Sequence, residues 1–413
     1  MHPTIQALEA ALTPDAHALF TAAVTAAETV AAPLYLVGGA VRDLAAGRPL
    51  RDIDVSTPTD PAMLAHAIAA AAGAEARVEP RFGTAALTRG AARLDLSRWR
   101  SERYPRPGTL PIVRFGATLA QDLARRDFSV NAVALGATHA VRDELHDPHH
   151  GLADLAAGRL RVLHDRSFRD DATRLWRAAR YAARLRLRPD PPTAALIADA
   201  GRWLSAISGT RLRAELAQLA AEPRPLVALR LLDAWGVLAA SAPGCTLTAA
   251  SAAALARRGP LPLELLAATL LAPLPAAARE AALARFAAPA TVTRAVEGAA
   301  ALLAARDRDP AALTALAATS PAARAAARAL DPAAQRPLQA ALRRWEATRS
   351  PLDARALLRL GVPAGPPLGR ALDRLRRERY LGTLHDAGAA RRLALALAHE
   401  QPAAPPASER RRR

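Results

Sequence analysis

Apolar and polar positions change their period several times within the first 75 residues of the chain. Residues 2–30 carry Ala and Leu at helical spacing, which predicts helices. The apolar run 34–37 predicts a short buried strand, and a helix is expected to begin near Ala40. A second apolar segment, which contains Asp52, predicts another strand. A helix from Pro61 to about residue 72 follows it.

The mixed pattern continues to about residue 135. Two further strands are predicted near residues 83–88 and 92–97, separated by an Arg-Gly turn. Residues 101–118 contain several Pro and Gly and predict a loop. A helix is expected over 121–135. The first third of the chain therefore combines strands with helices.

Beyond about residue 150 the strand patterns fade and leucine spacing becomes helical. Prolines interrupt the helical pattern at intervals, and no internal repeat of fixed period is present. Residues 401–413 combine Pro and Ala with a run of arginines, which is typical of a disordered, solvated tail. The expected fold class is α+β, with a mixed N-terminal part followed by an all-helical remainder.

Composition narrows the class of protein. A chain of 413 residues is long enough for two to four domains, and the low aromatic content of 4% fits helices packed through small residues. No apolar run reaches the length of a membrane span, and the N-terminus lacks a signal-peptide pattern. With Cys245 as its one cysteine the chain cannot form an internal disulfide. We expect a cytoplasmic protein with neither a membrane nor a disulfide partner.

The net charge of +18 favours a polyanionic partner. The chain contains no lysine, so arginine supplies all of its basic side chains. This depletion is typical of a genome-wide bias in base composition and does not indicate a function. A basic surface without a specific partner is the alternative interpretation, so the choice depends on motifs.

A glycine-rich turn follows the first predicted strand. Gly38 and Gly39 precede a predicted helix that carries Arg42 and Asp43. Glycine lets backbone N–H groups approach a ligand, and a helix N-terminus favours anions, so this segment is a candidate nucleotide-binding turn. A plain tight turn is the commoner explanation of a Gly-Gly pair standing alone.

Two aspartates follow ten residues later. Asp52 and Asp54 are separated by one residue, and such positions on a strand face the same way, about 6–7 Å apart. Two carboxylates at that spacing suit a pair of divalent metals, although an isolated Asp-x-Asp is usually solvated surface. In this order and spacing, the glycine turn and the aspartate pair together resemble the signature of the bacterial-type (class II) tRNA nucleotidyltransferase/poly(A) polymerase family.

A second motif supports that resemblance. Arg125-Arg126-Asp127-Phe128-Ser129-Val130-Asn131-Ala132 is similar to the family's Arg-Arg-Asp-Phe-Thr-Ile-Asn-Ala. An arginine pair can clamp triphosphate or ribose oxygens, and Asp127 can orient one of the two arginines. Asn131 can bind a sugar hydroxyl or brace a loop. Alone, this segment would be an ordinary charged helix surface.

A third motif, Asp170-Asp171-Ala172-Thr173-Arg174, resembles the family's Glu-Asp-x-x-Arg. Asp171 and Arg174 are three residues apart and are expected to share one helix face. A carboxylate and a guanidinium together can read the base edge of CTP or ATP and reject GTP and UTP. Arg177 and Arg180 are expected to drift around the helix, binding phosphates or serving structure. A salt-bridged amphipathic helix is the alternative.

The resemblance implies a polymerase-β-like catalytic head followed by a helical neck, body and tail. It covers about residues 30–240 and, more weakly, 350–385. The implied domains are a nucleotidyltransferase head (1–148), a neck with the nucleobase-recognition helix (149–205), an RNA-binding body (206–345), a tRNA-binding tail (346–400) and a disordered basic tail (401–413).

The resemblance also implies the reaction. Asp52 and Asp54 would hold Mg²⁺ and act in catalysis, and Asp95 on the neighbouring strand is either a third carboxylate or an edge-strand aspartate with a local partner. The implied function is template-independent addition of C, C and A to the 3′ end of tRNA from CTP and ATP. An A-adding enzyme or poly(A) polymerase is the first alternative. A non-catalytic RNA-binding protein on the same fold is an alternative of a different class.

Overall fold

The computed structural model describes residues 2–50, 52–256, 259–305 and 310–399. The tail predicted to be disordered, 401–413, lies outside the described residues. The chain divides into two compact units. Unit 1 comprises the described residues of Met1–Leu247, Leu255–Leu263 and Leu274–Ala288, and unit 2 those of Thr248–Ala254, Glu264–Pro273 and Pro289–Arg413.

Short strands dominate the first part of unit 1. They are β1 (Tyr35–Val37), β2 (Ile53–Thr57), β3 (Glu75–Glu79), β4 (Thr84–Arg89), β5 (Ala92–Arg98), β6 (Arg100–Arg103), β7 (Ile112–Phe115), β8 (Ala134–Gly136) and β9 (Leu145–His146). Seven of them form one sheet in the order β3-β4-β5-β2-β1-β8-β9. Strands β2 and β5 run parallel, whereas the other neighbours in this sheet run antiparallel. The predicted strands around Asp52 and at 34–37, 83–88 and 92–97 are confirmed.

One face of the sheet is covered by the N-terminal helices. The helices are α1 (Ile5–Ala11), α2 (Pro14–Thr29), α3 (Gly39–Ala45) and α4 (Pro61–Ala72), close to the predicted bounds. Phe20 of α2 and Ile68 of α4 are buried in the same cluster as Leu94 of the sheet. Ile53 and Val55 also belong to this core. Because strand side chains alternate between faces, Asp54 between them is presented to the opposite face.

Two predicted elements are wrong. Residues 101–118 are not a plain loop, because β6 and β7 pair there as an antiparallel ribbon outside the main sheet. The helix expected over 121–135 is only α5 (Leu119–Ala124), followed by a 3-10 turn at Ser129–Asn131 and then β8. Residues 132–135 are a short buried apolar run, and the periodicity of such a run does not distinguish a central strand from a helix.

Helices prevail after residue 150, as predicted. In unit 1 these are α6 (Gly151–Ala156), α7 (Ser167–Asp170), α8 (Thr173–Leu185), α9 (Pro191–Ala200), α10 (Gly209–Ala220), α11 (Pro225–Ala234) and α12 (Val237–Ser241). Two short strands, β10 (Arg159–Leu160) and β11 (Arg188–Pro189), pair in parallel among them. The α+β fold class is therefore confirmed.

The remaining helices extend to the end of the described chain. They are α13 (Ala249–Leu255), α14 (Leu263–Leu271), α15 (Ala276–Arg285), α16 (Ala290–Ala304), α17 (Pro310–Ala317), α18 (Pro321–Leu330), α19 (Pro332–Ala347), α20 (Ala354–Arg359), α21 (Pro366–Leu381) and α22 (Ala387–His399). Within unit 2, helices α20–α22 share a core around Leu357, Leu375 and Ala394. Among the described helices, none combines the length and the apolarity that crossing a bilayer requires.

A buried ion cluster fastens α8 to α10 and the residues after it. Arg180 contacts Glu215 at 3.0 Å and Glu222 at 3.1 Å, and Arg184 donates from Nε to Glu222 at 2.9 Å. Burial alone would raise the pKa of Glu222, but the hydrogen bond and charge of Arg184, aided by Arg180, hold that pKa below its usual value. This carboxylate therefore stabilises the folded state of unit 1.

We predict that Glu222→Gln lowers the free energy of unfolding by about 3 kcal/mol at pH 7, because two buried guanidinium groups lose their shared carboxylate. Since the folded-state pKa of Glu222 is depressed, its contribution is present above the unfolded-state pKa and lost as the pH falls through the folded-state value. Denaturant unfolding at pH 7 and at about pH 3 measures both effects. A wild-type–variant difference of equal size at the two pH values would contradict this explanation.

Candidate active site

Three carboxylates meet where β2 and β5 lie side by side. The parallel register pairs Asp54 with Asp95, and Asp52 comes immediately before β2. Burial raises the pKa of Asp54 to about 6. The charges of Asp95 and Asp52 add to this rise, and those of Arg126 and Arg42 oppose it. The folded chain thus concentrates negative charge at this point.

The sequence left Asp95 as either a third carboxylate or an edge-strand aspartate with a local partner. Its position is compatible with both roles, but β5 is an interior strand and not an edge. It lies beside Asp54, and it also accepts two hydrogen bonds of 2.8 Å from Arg93. Its side chain is 36% exposed, so this ion pair is accessible to solvent. Asp95 is available to a ligand that displaces the guanidinium.

The double glycine turns the chain from β1 into α3, which begins at Gly39, close to the predicted start. Gly38 has a φ of 64°, a conformation that favours glycine. A Cβ at this position would lie 2.7 Å from Nη1 of Arg126. Because Gly38 has no side chain, the guanidinium of Arg126 can pack directly against the turn.

The arginine pair that follows α5 is held by two acids. Asp122 is fully buried and accepts from Arg125 at 2.7 Å and from Arg126 at 3.2 Å, and Glu102 of β6 accepts from Arg125 at 2.9 Å. Burial alone would raise the pKa of Asp122, but the two arginines hold it below its usual value. Nε of Arg126 is buried and has no partner among the described residues. One donor beside the carboxylates is thus left for a ligand.

A continuous chain of hydrogen bonds runs from α3 to α8. Arg42 donates to Asp43 at 2.8 Å and also to the side-chain oxygen of Asn131. Asn131 donates to Asp127 at 2.9 Å, and Arg177 of α8 contacts Asp127 at 2.6 Å. Asp127 therefore orients Arg177, and not one of its neighbours in sequence as expected. Asn131 braces this chain.

Asp171 and Arg174 do not share a helix face, which corrects the prediction. Asp171 has an extended conformation between α7 and α8, and its Oδ1 accepts from Thr173 at 2.7 Å and from Arg211 at 2.8 Å. Arg174, in the first turn of α8, donates to Ser167 at 2.7 Å and to the carbonyl of Arg125 at 2.9 Å. Both side chains nevertheless line one cleft.

The arginines of α8 occupy one face, also contrary to expectation. Positions 174, 177, 180, 181 and 184 fall within about 120° of arc on a helix, and all of them line the cleft. The ring of Tyr181 lies under three guanidinium groups, at 5.4 Å from Arg42, 5.4 Å from Arg177 and 5.8 Å from Arg184. This face of α8 forms a basic wall.

A cleft of about 850 Å³ in unit 1 brings these groups together. Every residue singled out from the sequence lines it: Gly38, Gly39, Arg42, Asp43, Asp52, Asp54, Asp95, Arg125, Arg126, Asp127, Asn131, Asp171, Arg174, Arg177 and Arg180. Arg42 and Arg180 are buried, and their guanidinium groups donate to protein acceptors. The carboxylates and the guanidinium groups thus share one space of nucleotide size.

Several residues that line the cleft or hold its arginines were not predicted. Asp122 precedes the arginine pair by three and four residues, a helical spacing that could have identified it. Glu102 lies on a strand that was taken for a loop, and Arg211 and Glu215 lie on α10, about forty residues from their partners. Their roles depend on tertiary contacts that carry no local signal.

The cleft can hold a divalent cation. Among the described residues, no group of three or more Asp, Glu, His or Cys side chains forms a ready metal site. Asp54 is nevertheless a half-buried carboxylate whose pKa is raised by desolvation and, to a lesser degree, by the charges of Asp95 and Asp52. A cation there would relieve that charge, and carboxylate oxygens are the ligands that hard cations prefer. Asp52 and Asp54 therefore fit such an ion, with room for ligand oxygens.

Comparison with known proteins agrees with this geometry. Residues 34–161 match the Poly A polymerase head domain. The chain is 47% identical over 208 residues to the CC-adding tRNA nucleotidyltransferase of Deinococcus radiodurans, covering 49% of this chain and 54% of that protein. It is 36% identical over 233 residues to the A-adding tRNA nucleotidyltransferase of Halalkalibacterium halodurans, covering 54% and 53%. The chain thus spans about half the length of these curated relatives.

A solved structure extends the likeness of fold to the helical region. The Thermotoga maritima CCA-adding enzyme complexed with tRNA matches with a TM-score of 0.70 at 23% identity, over 95% of this chain and 98% of that one. The mixed sheet, with paired carboxylates beside a glycine turn and helices after it, thus has the fold of the CCA-adding enzyme structures. Over residues 34–161 the chain matches the Poly A polymerase head domain, and over about half its length it is similar to curated tRNA nucleotidyltransferases.

We predict that Asp54→Asn stabilises unit 1 at pH 8 in the presence of a chelator. The raised pKa means that the ionised form is costly in the folded state, and the neutral amide removes burial and repulsion costs of at most about 3 kcal/mol. The expected rise in Tm is about 2–5 °C by calorimetry. Asp199→Asn, in an exposed ion pair, is the matched control. An unchanged or lower Tm for Asp54→Asn would contradict the electrostatic interpretation.

Proposed function

We propose that this protein adds C, C and A to the 3′ end of tRNA from CTP and ATP, without a nucleic-acid template. One observation carries the proposal. All fifteen residues selected from three sequence motifs and from the strand that carries Asp95 line a single cleft, which combines carboxylates of the sheet with arginines of α8. Nucleotidyl transfer needs carboxylates to hold the metal ions and positively charged groups to bind the nucleoside triphosphate.

The triphosphate would lie along the glycine turn. Arg126 is fixed there by Asp122 and retains a buried Nε without a partner among the described residues. A guanidinium held by a carboxylate on one edge can present its other edge to phosphate oxygens at little further entropic cost. Arg125, held by Asp122 and Glu102, would present its remaining donors in the same way.

Asp52 and Asp54 would hold Mg²⁺, and Asp95 would be the third carboxylate. When bound, the ions would lower the pKa of the RNA 3′-hydroxyl and neutralise charge on the departing pyrophosphate. The protein's own contribution is to hold these carboxylates side by side on neighbouring strands. Arg93, which pairs with Asp95 at 2.8 Å, would be displaced from that carboxylate when the ions bind.

Asp171 and Arg174 would select the base. The bonds from Thr173 and Arg211 end on Oδ1 of Asp171, and no described residue donates to its Oδ2. That oxygen can accept from the exocyclic amine of cytosine or adenine. The bonds that Arg174 donates to Ser167 and to the Arg125 carbonyl use two of its five N–H groups, so others remain for a ring nitrogen. Guanine and uracil would leave buried polar groups unpaired at a cost of about 1–3 kcal/mol.

The helical remainder would hold the RNA. The proposed division is a head over residues 1–148, a neck over 149–205, an RNA-binding body over 206–345 and a tRNA-binding tail over 346–400. The net charge of +18 favours a polyanion of this size. Duplex parts of tRNA would be bound through their shape and phosphates, with little reading of bases.

Three other products are compatible with this cleft. CC addition is favoured by the 47% identity with the Deinococcus radiodurans protein, and A addition by the 36% identity with the Halalkalibacterium halodurans protein. A poly(A) polymerase would use the same site. A non-catalytic RNA-binding protein is the alternative of another class, and the retained Asp52 and Asp54 argue against it.

The product assay decides among these functions. Purified protein is incubated with Mg²⁺, each labelled nucleotide and tRNA transcripts that lack CCA or end in CC. Addition of C, C and A, followed by arrest, is the expected result. Growth that stops after CC would assign CC addition, growth from the CC end alone A addition, and a long ladder poly(A) synthesis.

Two variants test whether the measured activity comes from this protein and not from a contaminant. Asp52→Asn and Asp54→Asn are expected to reduce addition at least about a thousandfold, because the metal ligands are lost. Asp199→Asn should retain full activity. Tight tRNA binding without incorporation of any nucleotide by the wild-type protein would overturn the enzymatic proposal.

We predict that Asp171→Asn relaxes base selection. The amide can turn its NH₂ group toward the carbonyl oxygen of uracil or guanine, so the preference for CTP over UTP should fall by about 10- to 100-fold in kcat/KM. Asp165→Asn, an exposed carboxylate on the segment before α7, is the control for the loss of one charge. An unchanged CTP-to-UTP ratio for Asp171→Asn would remove this residue from base recognition.

A further inference from the structure

The ribbon of β6 and β7 exposes an unusual amount of apolar surface. Its two strands pair only with each other among the described strands. Leu110 and Ile112 are 47% and 43% exposed and lie two residues apart, whereas Phe115, 39% exposed, pairs with Arg100 on the face that carries Glu102. Neighbouring exposed apolar side chains on a small element are typical of an interaction surface.

The two faces of the ribbon differ in chemistry. Register pairs Glu102 with Val113, and Glu102 reaches inward to Arg125 in the cleft. The alternate pairs, Arg103 with Ile112 and Ser101 with Arg114, therefore share the opposite face. The exposed residues of this face and of the ribbon tip are Arg103, Arg106, Leu110, Ile112 and Arg114. Together they are called the outer ribbon face.

The outer ribbon face is basic without a compensating acid. Over residues 100–118 the one carboxylate is Glu102, which is directed inward and bound by arginines. Three exposed arginines alternate with apolar side chains on the outside. Phosphate groups interleaved with bases and sugars have the complementary pattern.

The ribbon is held at both ends, so this face is preorganised. At its base, Glu102 binds Arg100 and Arg125 at 2.9 Å each. At its tip, Arg211 donates to the carbonyl of Gly108 at 3.2 Å, and a Cβ on Gly108 would clash with the backbone of Ala206. A fixed surface loses little conformational entropy when it binds a flexible strand.

We infer that the outer ribbon face binds the unpaired 3′ end of the RNA, with arginines on phosphates and Ile112 and Leu110 against bases or sugars. The inference rests on the proposed function. Unpaired nucleotides are favoured over duplex RNA because bases stacked in a helix offer no apolar surface to these side chains. The inner face of the same ribbon borders the cleft, so a strand bound outside lies next to the site that extends it.

The test measures RNA binding without catalysis. The double variant Arg103→Ser/Arg114→Ser is titrated with an RNA hairpin that carries a 3′ overhang ending in CC and with the same hairpin made blunt. The dissociation constant for the overhang RNA is expected to rise about tenfold at 0.1 M salt, and the salt slope to fall by about 1.4, the value for two single-strand phosphate contacts. The blunt hairpin should bind as it does to the wild type.

Two further variants separate the contributions. Ile112→Ser should weaken overhang binding severalfold without altering the salt slope, because it removes an apolar contact. Arg77→Ser/Arg188→Ser removes the same charge from exposed positions on β3 and β11 and should leave the overhang affinity within about twofold. All variants are checked for unchanged Tm and CTP affinity.

The possible failures are distinguishable. If the wild-type protein adds nucleotides to tRNA but the Arg103/Arg114 variant keeps wild-type overhang affinity, the inference is wrong and the proposed function stands. An equal loss for the overhang and blunt hairpins would also overturn it, since that result assigns the face to duplex RNA. If the wild-type protein binds neither RNA nor nucleotide, the proposed function itself fails.

Discussion

The buried carboxylate of Asp127 is the contact on which the candidate site depends. It accepts from Asn131 at 2.9 Å and from Arg177 at 2.6 Å, and it thereby joins the sheet side of the cleft to α8. Burial alone would raise the pKa of Asp127, but the charge of Arg177 and the bond from Asn131 hold it below its usual value. Because the Asp127 carboxylate is buried, losing its partner Arg177 would be costly, so the pair fixes the position of the basic wall relative to the carboxylates.

Fixed geometry of this kind explains how one cleft could handle opposite charges. The carboxylates of Asp52 and Asp54 lie at the start of β2, whereas Arg125, Arg126 and Arg177 are each restrained by an acid. Donors and acceptors that are already oriented need little reorganisation when a charged ligand arrives. The raised pKa of Asp54 shows that its ionised carboxylate is unfavourable in the folded protein. Such perturbed pKa values are typical of functional sites.

Much of this arrangement could be predicted from local sequence, because it depends on short periods. A one-residue spacing on a strand places Asp52 and Asp54 together, and a glycine pair before a helix predicts the turn at Gly38. The ribbon was missed because strands of four residues carry too little alternation to be distinguished from a loop. Asp171 was misplaced because the break between α7 and α8 interrupts a segment whose pattern is helical throughout. Partners such as Arg211 meet only after α10 has packed, which no local pattern encodes.

The most direct measurement of the central claim is a structure of the protein with Mg²⁺, a tRNA ending in CC and an unreactive ATP analogue. The account predicts the triphosphate between the glycine turn and Arg126, metal ions on Asp52 and Asp54, and the adenine edge against Asp171 and Arg174. A nucleotide bound outside this cleft, with Asp171 and Arg174 making no contact to the base, would contradict it.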